Sequence, residues 1–151
     1  LHEHLFEYKT HMMQNYGAGV QACYRGPRLY DTPETQAAVT EVIQWYKKYR
    51  DILNSDMIHL RRPDARDWDG FIHVNPHKKE KGLAMFLNPT HQEITRTIHI
   101  PLYYTGLTQT ARIREKEQKP VTYKLNRDYT VELTVKIPAN GYTWYVVEAA
   151  D

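Results

Sequence analysis

The sequence predicts an α+β chain: an N-terminal helical segment followed by an eight-stranded antiparallel β-sandwich. Three observations predict it. Apolar residues recur at steps of three and four in residues 2–15 and again in 33–53, which is the pattern of amphipathic helices. After residue 55 the period changes to two. Eight short runs then follow with turn residues between them and no helix-period segment among them, as in a sandwich or an antiparallel barrel. The domains expected are 1–55 and 56–151.

In the first helix Leu5, Tyr8, Met12 and Tyr16 share a face, and Gly17 and Gly19 suit its end. Residues 19–24 are short and mixed apolar, and predict a buried strand that Gly26-Pro27 breaks. Asp31-Thr32-Pro33-Glu34 then starts a helix over 33–53: Asp31 supplies a cap, Pro33 sits in the first turn, and Glu34 follows three residues after Asp31. Val39, Val42, Ile43, Tyr46, Tyr49 and Leu53 line its apolar face, and Lys47, Lys48 and Arg50 sit near its C-terminus, where cations suit the helix dipole.

The strands expected are 57–61, 70–75, 82–88, 94–100, 111–116, 121–125, 129–137 and 142–148. In 94–100, Ile94, Arg96, Ile98 and Ile100 alternate with Thr95, Thr97 and His99. In 129–137, Val131, Leu133, Val135 and Ile137 alternate with Glu132, Thr134 and Lys136. The run Gly82-Leu83-Ala84-Met85-Phe86-Leu87 is apolar on both faces and predicts a central strand. Asn140-Gly141 signals a hairpin, lengthened by the nearby Pro138. Lys78, Lys79, Glu80 and Lys81 suggest a solvated hairpin tip.

Composition bounds the function. The chain has 151 residues, 20 Lys+Arg against 18 Asp+Glu, and a net charge of +2, which gives no basis for nucleic-acid binding. Its longest apolar runs are far too short to span a membrane as helices. A complete (β/α)8 barrel needs roughly 250 residues and does not fit. The single Cys23 has no partner for an internal disulfide, and its apolar context suggests a buried, inert thiol. Leu1 is followed by no basic and apolar leader, and LHEHLFEYKTHMM begins as if in mid-helix, so the chain is expected to be part of a longer protein. His4 and His11 are seven apart, His59, His73 and His99 lie on separate strands, and no HExxH or CxxC spacing occurs, so neither metal nor cofactor is expected.

The stretches YRGPRLYDTPETQAAVTEVIQWYKKYRDIL, SDMIHLRRPDARDWDGFIHVNP, KGLAMFLNPT and YTVELTVKIPANGYTWYVVE resemble the C-terminal region of bacterial glycoside hydrolases with a (β/α)8 barrel, in particular the alpha-galactosidase-like group. The resemblance implies that residues 1–55 are the last barrel helices and the eighth strand, a remnant of the barrel, and that 56–151 is the C-terminal sandwich. It implies a catalytic pair of carboxylates on barrel strands upstream of Leu1, so no catalytic residue is assigned in this chain. It also implies a periplasmic or secreted enzyme, with the upstream barrel as the partner of this piece. The uncovered helical segment offers a route to oligomers.

Under this resemblance the loop after the eighth strand would border the parent's sugar pocket. Tyr24, Arg25, Arg28 and Tyr30 are its candidate substrate-binding residues, Arg for hydroxyls and Tyr for a pyranose face; the alternative is a loop Arg paired with Asp31 or Glu34 and tyrosines filling a joint. Residues 61–70 concentrate three Arg, three Asp and Trp68. Trp68 is a candidate sugar platform; the alternative is an ion-paired turn with Trp68 packed on the helical piece. An exposed strip including Trp68 and Trp144 would make the chain a carbohydrate-binding module, whereas a buried Trp144 would be core.

Overall fold

In the computed structural model, residues 1–20 and 27–150 are described. The chain divides into two compact units, Leu1–Asn54 and Ser55–Asp151.

Among the described residues the first unit holds a 3-10 turn, His2–His4, and two helices, α1 (Leu5–Gly17) and α2 (Pro33–Leu53). The two helices pack together through Tyr16 and Tyr46, whose ring centroids are 5.1 Å apart, and an ion pair of 2.8 Å joins Lys9 and Glu41. Met12, Met13, Val39, Val42 and Tyr49 are buried. α2 starts at Pro33, where the sequence suggests, but its cap lies one residue later than expected. Thr32, not Asp31, is the N-cap, and its box partner is Thr35, not Glu34. Thr32 Oγ1 accepts from Thr35 N at 3.3 Å, and Thr35 Oγ1 accepts from Thr32 N at 3.0 Å. A hydroxyl at N3 closes the box as a carboxylate would. Asp31 is thereby outside the box, although its Oδ1 still accepts from Thr35 Oγ1 at 3.0 Å. Of the strand expected at 19–24, Gly19 and Val20 are not in a strand and Val20 is 55% exposed; the remainder lies outside the described residues.

The second unit holds eight strands among the described residues: β1 (Asp56–Arg61), β2 (Asp69–Val74), β3 (Glu80–Leu87), β4 (Ile94–Pro101), β5 (Thr110–Glu115), β6 (Val121–Lys124), β7 (Thr130–Ile137) and β8 (Tyr142–Glu148). Every expected strand is present, with ends within two residues of the expected ones. Six form one antiparallel sheet in the order β1-β2-β3-β8-β5-β6, and β4 and β7 pair antiparallel as a second sheet. Both sheets contribute to one apolar core: Ile72, Phe86, Ala111 and Val147 from the large sheet, Ile98, Ile100, Leu133 and Val135 from the small one. β4 and β7 alternate as the period predicts, with Ile98, Ile100, Val131, Leu133, Val135 and Ile137 buried and Thr95, Thr97, Glu132, Thr134 and Lys136 exposed. β3 is interior to its sheet, and Leu83, Ala84, Met85 and Phe86 are fully buried on its two faces.

The Asn140-Gly141 turn is a correction. The turn forms, with Gly141 N donating to Pro138 O at 3.1 Å and Asn140 at φ 51°. It does not make a hairpin, because β7 pairs with β4 whereas β8 lies between β3 and β5. The chain reverses there and passes from one sheet to the other. Turn chemistry fixes a reversal of direction, but the strand's partner is chosen by its neighbours across the core.

Candidate functional site

The segment leading into α2 is the first candidate. Tyr24 and Arg25 lie outside the described residues. Arg28 and Tyr30 are both exposed, Tyr30 by 41%, and line an open depression of about 510 Å³ with Leu29, Asp31 and Gln36. Tyr8 Oη donates to Leu29 O at 2.8 Å and ties the segment to α1. Asp31 anchors it further. Its Oδ2 accepts from His2 Nδ1 at 3.1 Å and from His2 N at 3.3 Å, and its Oδ1 accepts from Thr35 Oγ1 at 3.0 Å. The His2 contact foremost holds the Asp31 carboxyl below the usual carboxylate range. Asp31 therefore draws its partners from His2 and Thr35 rather than from Arg28. The exposed guanidinium offers a planar fork of donors and Tyr30 offers an aromatic face. Asp31 is the one carboxylate among the described residues lining the depression, whereas glycoside hydrolysis by acid/base chemistry takes two.

The second candidate, the connection between β1 and β2, is an ion-paired turn. Arg61 grips Asp64 with both guanidinium nitrogens, Nη1–Oδ1 at 3.2 Å and Nη2–Oδ2 at 2.9 Å, and Nη1 also donates to Trp68 O at 2.8 Å. Asp64 Oδ1 accepts from Arg66 N and Asp67 N as well, at 2.9 and 3.1 Å. Arg61 and these two amides hold the Asp64 carboxyl well below its usual range. Asp67 pairs with Arg96 at 3.2 Å. Asp69, half-buried at the start of β2, is shifted the other way by desolvation. Arg61 and Asp64 are thus spent on each other, and Asp67 on Arg96 of β4. Trp68 is half-buried with its ring 5.8 Å from that of Phe86, packed against the core of its own unit.

Trp144 is only 5% exposed, so Trp68 and Trp144 form no outward strip. The exposed aromatics lie elsewhere. Tyr103 and Tyr104, in a 3-10 turn (Tyr103–Thr105) after β4, are 59% and 63% exposed. The Tyr103 ring stands at 89° to that of Tyr104 and at 75° to that of Tyr129, with centroids 5.1 and 5.4 Å apart. Beside them lies a cleft of about 510 Å³ whose lining includes Gln109, Asn126, Arg127 and Tyr129. The sequence reading did not single these residues out. The signal was two adjacent aromatics outside either alternating strand, just before a glycine.

Among the described residues no group of three or more His, Cys, Asp or Glu is placed to hold a metal ion, and no helix is long and apolar enough to cross a membrane.

No family model matches the sequence, and no curated protein matches it. Solved structures do match the fold. Alpha-galactosidase I from Mortierella vinacea is 14% identical with a TM-score of 0.62, over 95% of this chain and 35% of that one. A β-L-arabinopyranosidase from Geobacillus stearothermophilus is 11% identical with a TM-score of 0.62, over 97% of this chain and 31% of that one. An alpha-amylase from Geobacillus thermoleovorans is 14% identical with a TM-score of 0.62, over 97% of this chain and 34% of that one. The chain thus spans about a third of the length of each of these structures, and at these identities the likeness is one of fold.

Proposed function

We propose that this chain is the C-terminal portion of a glycoside hydrolase, comprising the end of a (β/α)8 barrel, residues 1–55, and an accessory β-sandwich, residues 56–151. The observation that carries the reading is the asymmetry of coverage. Nearly all of this chain matches glycosidases and an amylase, yet it accounts for only 31–35% of their lengths. On this reading the catalytic carboxylates lie upstream and the chain alone does not hydrolyse glycosides. The sandwich's role is structural: to cover apolar barrel surface and to fix the last barrel loop. Tyr24, Arg25, Arg28 and Tyr30 would stand at the rim of the parent's sugar pocket, and the openness of the depression around Arg28 and Tyr30 supports that placement. Trp68, packed inward, is the weakest of the five candidate residues. Phe6 and Leu29, 52% and 43% exposed, would meet the rest of the barrel, or a second copy when the chain is expressed alone.

Two experiments test this. The gene upstream of Leu1 should encode roughly 250 residues of alternating strands and helices with Asp or Glu at strand ends; an open reading frame that starts just before Leu1 would refute the proposal. Purified 151-residue chain should leave aryl glycosides intact, and turnover that survives rigorous purification would overturn the non-catalytic role.

A further inference from the structure

We infer that the second unit carries a binding site for a pyranoside, at the corner made by Tyr103, Tyr104 and Tyr129 and the cleft beside it. The choice of a sugar as ligand class rests in part on the glycoside hydrolase reading; the location of the site does not. Two adjacent tyrosines 59% and 63% exposed form an aromatic surface that water covers poorly. They are held in place from below. Leu102 and Thr105, on either side of them, are fully buried; Thr105 Oγ1 donates to Leu102 O, and Leu102 N donates to Tyr129 O at 2.9 Å. Gly106, at φ 78°, lets the chain leave the turn where a Cβ would come within 3.0 Å of Pro76. The rings also brace one another edge to face. A surface ordered in advance loses little side-chain entropy on binding.

The geometry selects the ligand. With the rings of Tyr104 and Tyr129 at 89° and 75° to that of Tyr103, no flat strip exists for a crystalline polymer. A corner suits one or two sugar rings, whose C–H faces carry the partial positive charge that an aromatic face attracts. The adjoining cleft supplies the polar half. Gln109 offers an amide, Asn126 the carbonyl of an amide whose nitrogen donates to Thr130 Oγ1 at 3.1 Å, and Lys124 and Arg127 cationic donors, groups that can bond neighbouring hydroxyls. Asp128, the acidic residue of the turn, already accepts from Thr130 N and Oγ1 at 3.2 and 2.7 Å.

The test is a titration of the ¹⁵N-labelled 151-residue chain with methyl galactopyranoside, glucopyranoside and arabinopyranoside to about 20 mM, well above the roughly millimolar Kd of a small shallow site. Saturable amide shifts should be confined to residues 102–109 and 125–130 for at least one sugar. Tyr104→Ala, at an exposed position that the fold does not need, should weaken that binding by about tenfold or more, and Tyr104→Phe should retain most of it. Absence of shifts with all three sugars overturns the site. So do shifts centred on Arg28 and Tyr30, unchanged binding in Tyr104→Ala, or burial of Tyr104 against the barrel in the longer parent. Failure here leaves the accessory-domain reading untouched, since that reading stands or falls on the upstream gene.

Discussion

Asn88 fastens one sheet to the other by donating its side-chain amide to Ile137 O at 3.2 Å. Asn88 follows β3 of the six-stranded sheet, and Ile137 ends β7 of the two-stranded one. The same Nδ2 also reaches Gln92 O at 2.8 Å and Pro138 O at 3.1 Å, while Oδ1 accepts from Thr90 N and Oγ1 at 2.9 and 2.7 Å. The residue is 2% exposed, so no water replaces these bonds cheaply.

Asn88→Ala should therefore cost about 2–3 kcal/mol, because it strands carbonyls that stay buried. Asn88→Asp should be no better at neutral pH, since a carboxylate cannot donate to them. Urea unfolding followed by tryptophan fluorescence reads both, and a loss below about 1 kcal/mol for Asn88→Ala would contradict the clasp.

Gly70→Ala should destabilise the second unit. A Cβ at Gly70 would stand 2.8 Å from Met85 O, 3.1 Å from Phe86 Cδ1 and 3.3 Å from Trp68 Cζ3. The carbonyl belongs to the neighbouring strand and cannot yield without shifting the ladder. An overpacking cost of about 1–3 kcal/mol follows, or a fall in Tm of roughly 5–15 °C. Calorimetry reads it, and near-ultraviolet dichroism should change as Trp68 shifts; an unchanged Tm would mean that the strand gives way freely.

The Arg61–Asp64 grip predicts an acid-sensitive loop. The Asp64 carboxyl lies below its usual range in the folded chain, foremost because Arg61 donates to it. A depressed carboxylate supports the fold fully above its unfolded value of about 4. That support is lost as the pH falls through the lower, folded value. Carboxyl ¹³C shifts should show Asp64 still ionised at about pH 3, and Arg61→Gln should return it toward the ordinary range. An Asp64 that titrates ordinarily in the unaltered chain would show that the ion pair does not persist in solution.

Tyr145 has the opposite sign. Burial first, and then its 2.5 Å hydrogen bond to Glu115 Oε2, push the phenol well above its usual range. A raised value means that the contribution is complete below the unfolded value of about 10 and fades as the pH climbs through the folded one. The Tyr145 ring Cζ resonance should stay that of a neutral phenol past about pH 11, and Glu115→Gln should lower the midpoint. Ordinary ionisation near pH 10 would refute the contact.

Much of the fold was legible because its signals are local. The helix over 33–53 followed from its apolar spacing and from the Thr32-Pro33 start, and the cap was misplaced by one residue because Asp31 and Thr32 both satisfy the same pattern. The central position of β3 followed from a run apolar on both faces. The candidate site was less legible. Trp68 and Trp144 drew attention by residue type, yet type does not say which way a ring points, and they point inward.

The sequence by itself determined the kind and order of the elements among the described residues, because periods of 3.6 and 2 and the residues that end them act over a few positions. Only the tertiary structure decided which strand lies beside which. It paired β4 with β7 across 28 intervening residues, sent β8 into the other sheet despite a sound reversal at Asn140-Gly141, and brought Tyr129 against Tyr103. Such pairings are settled by which apolar faces can be buried together at once, a condition on the whole core that no local stretch contains.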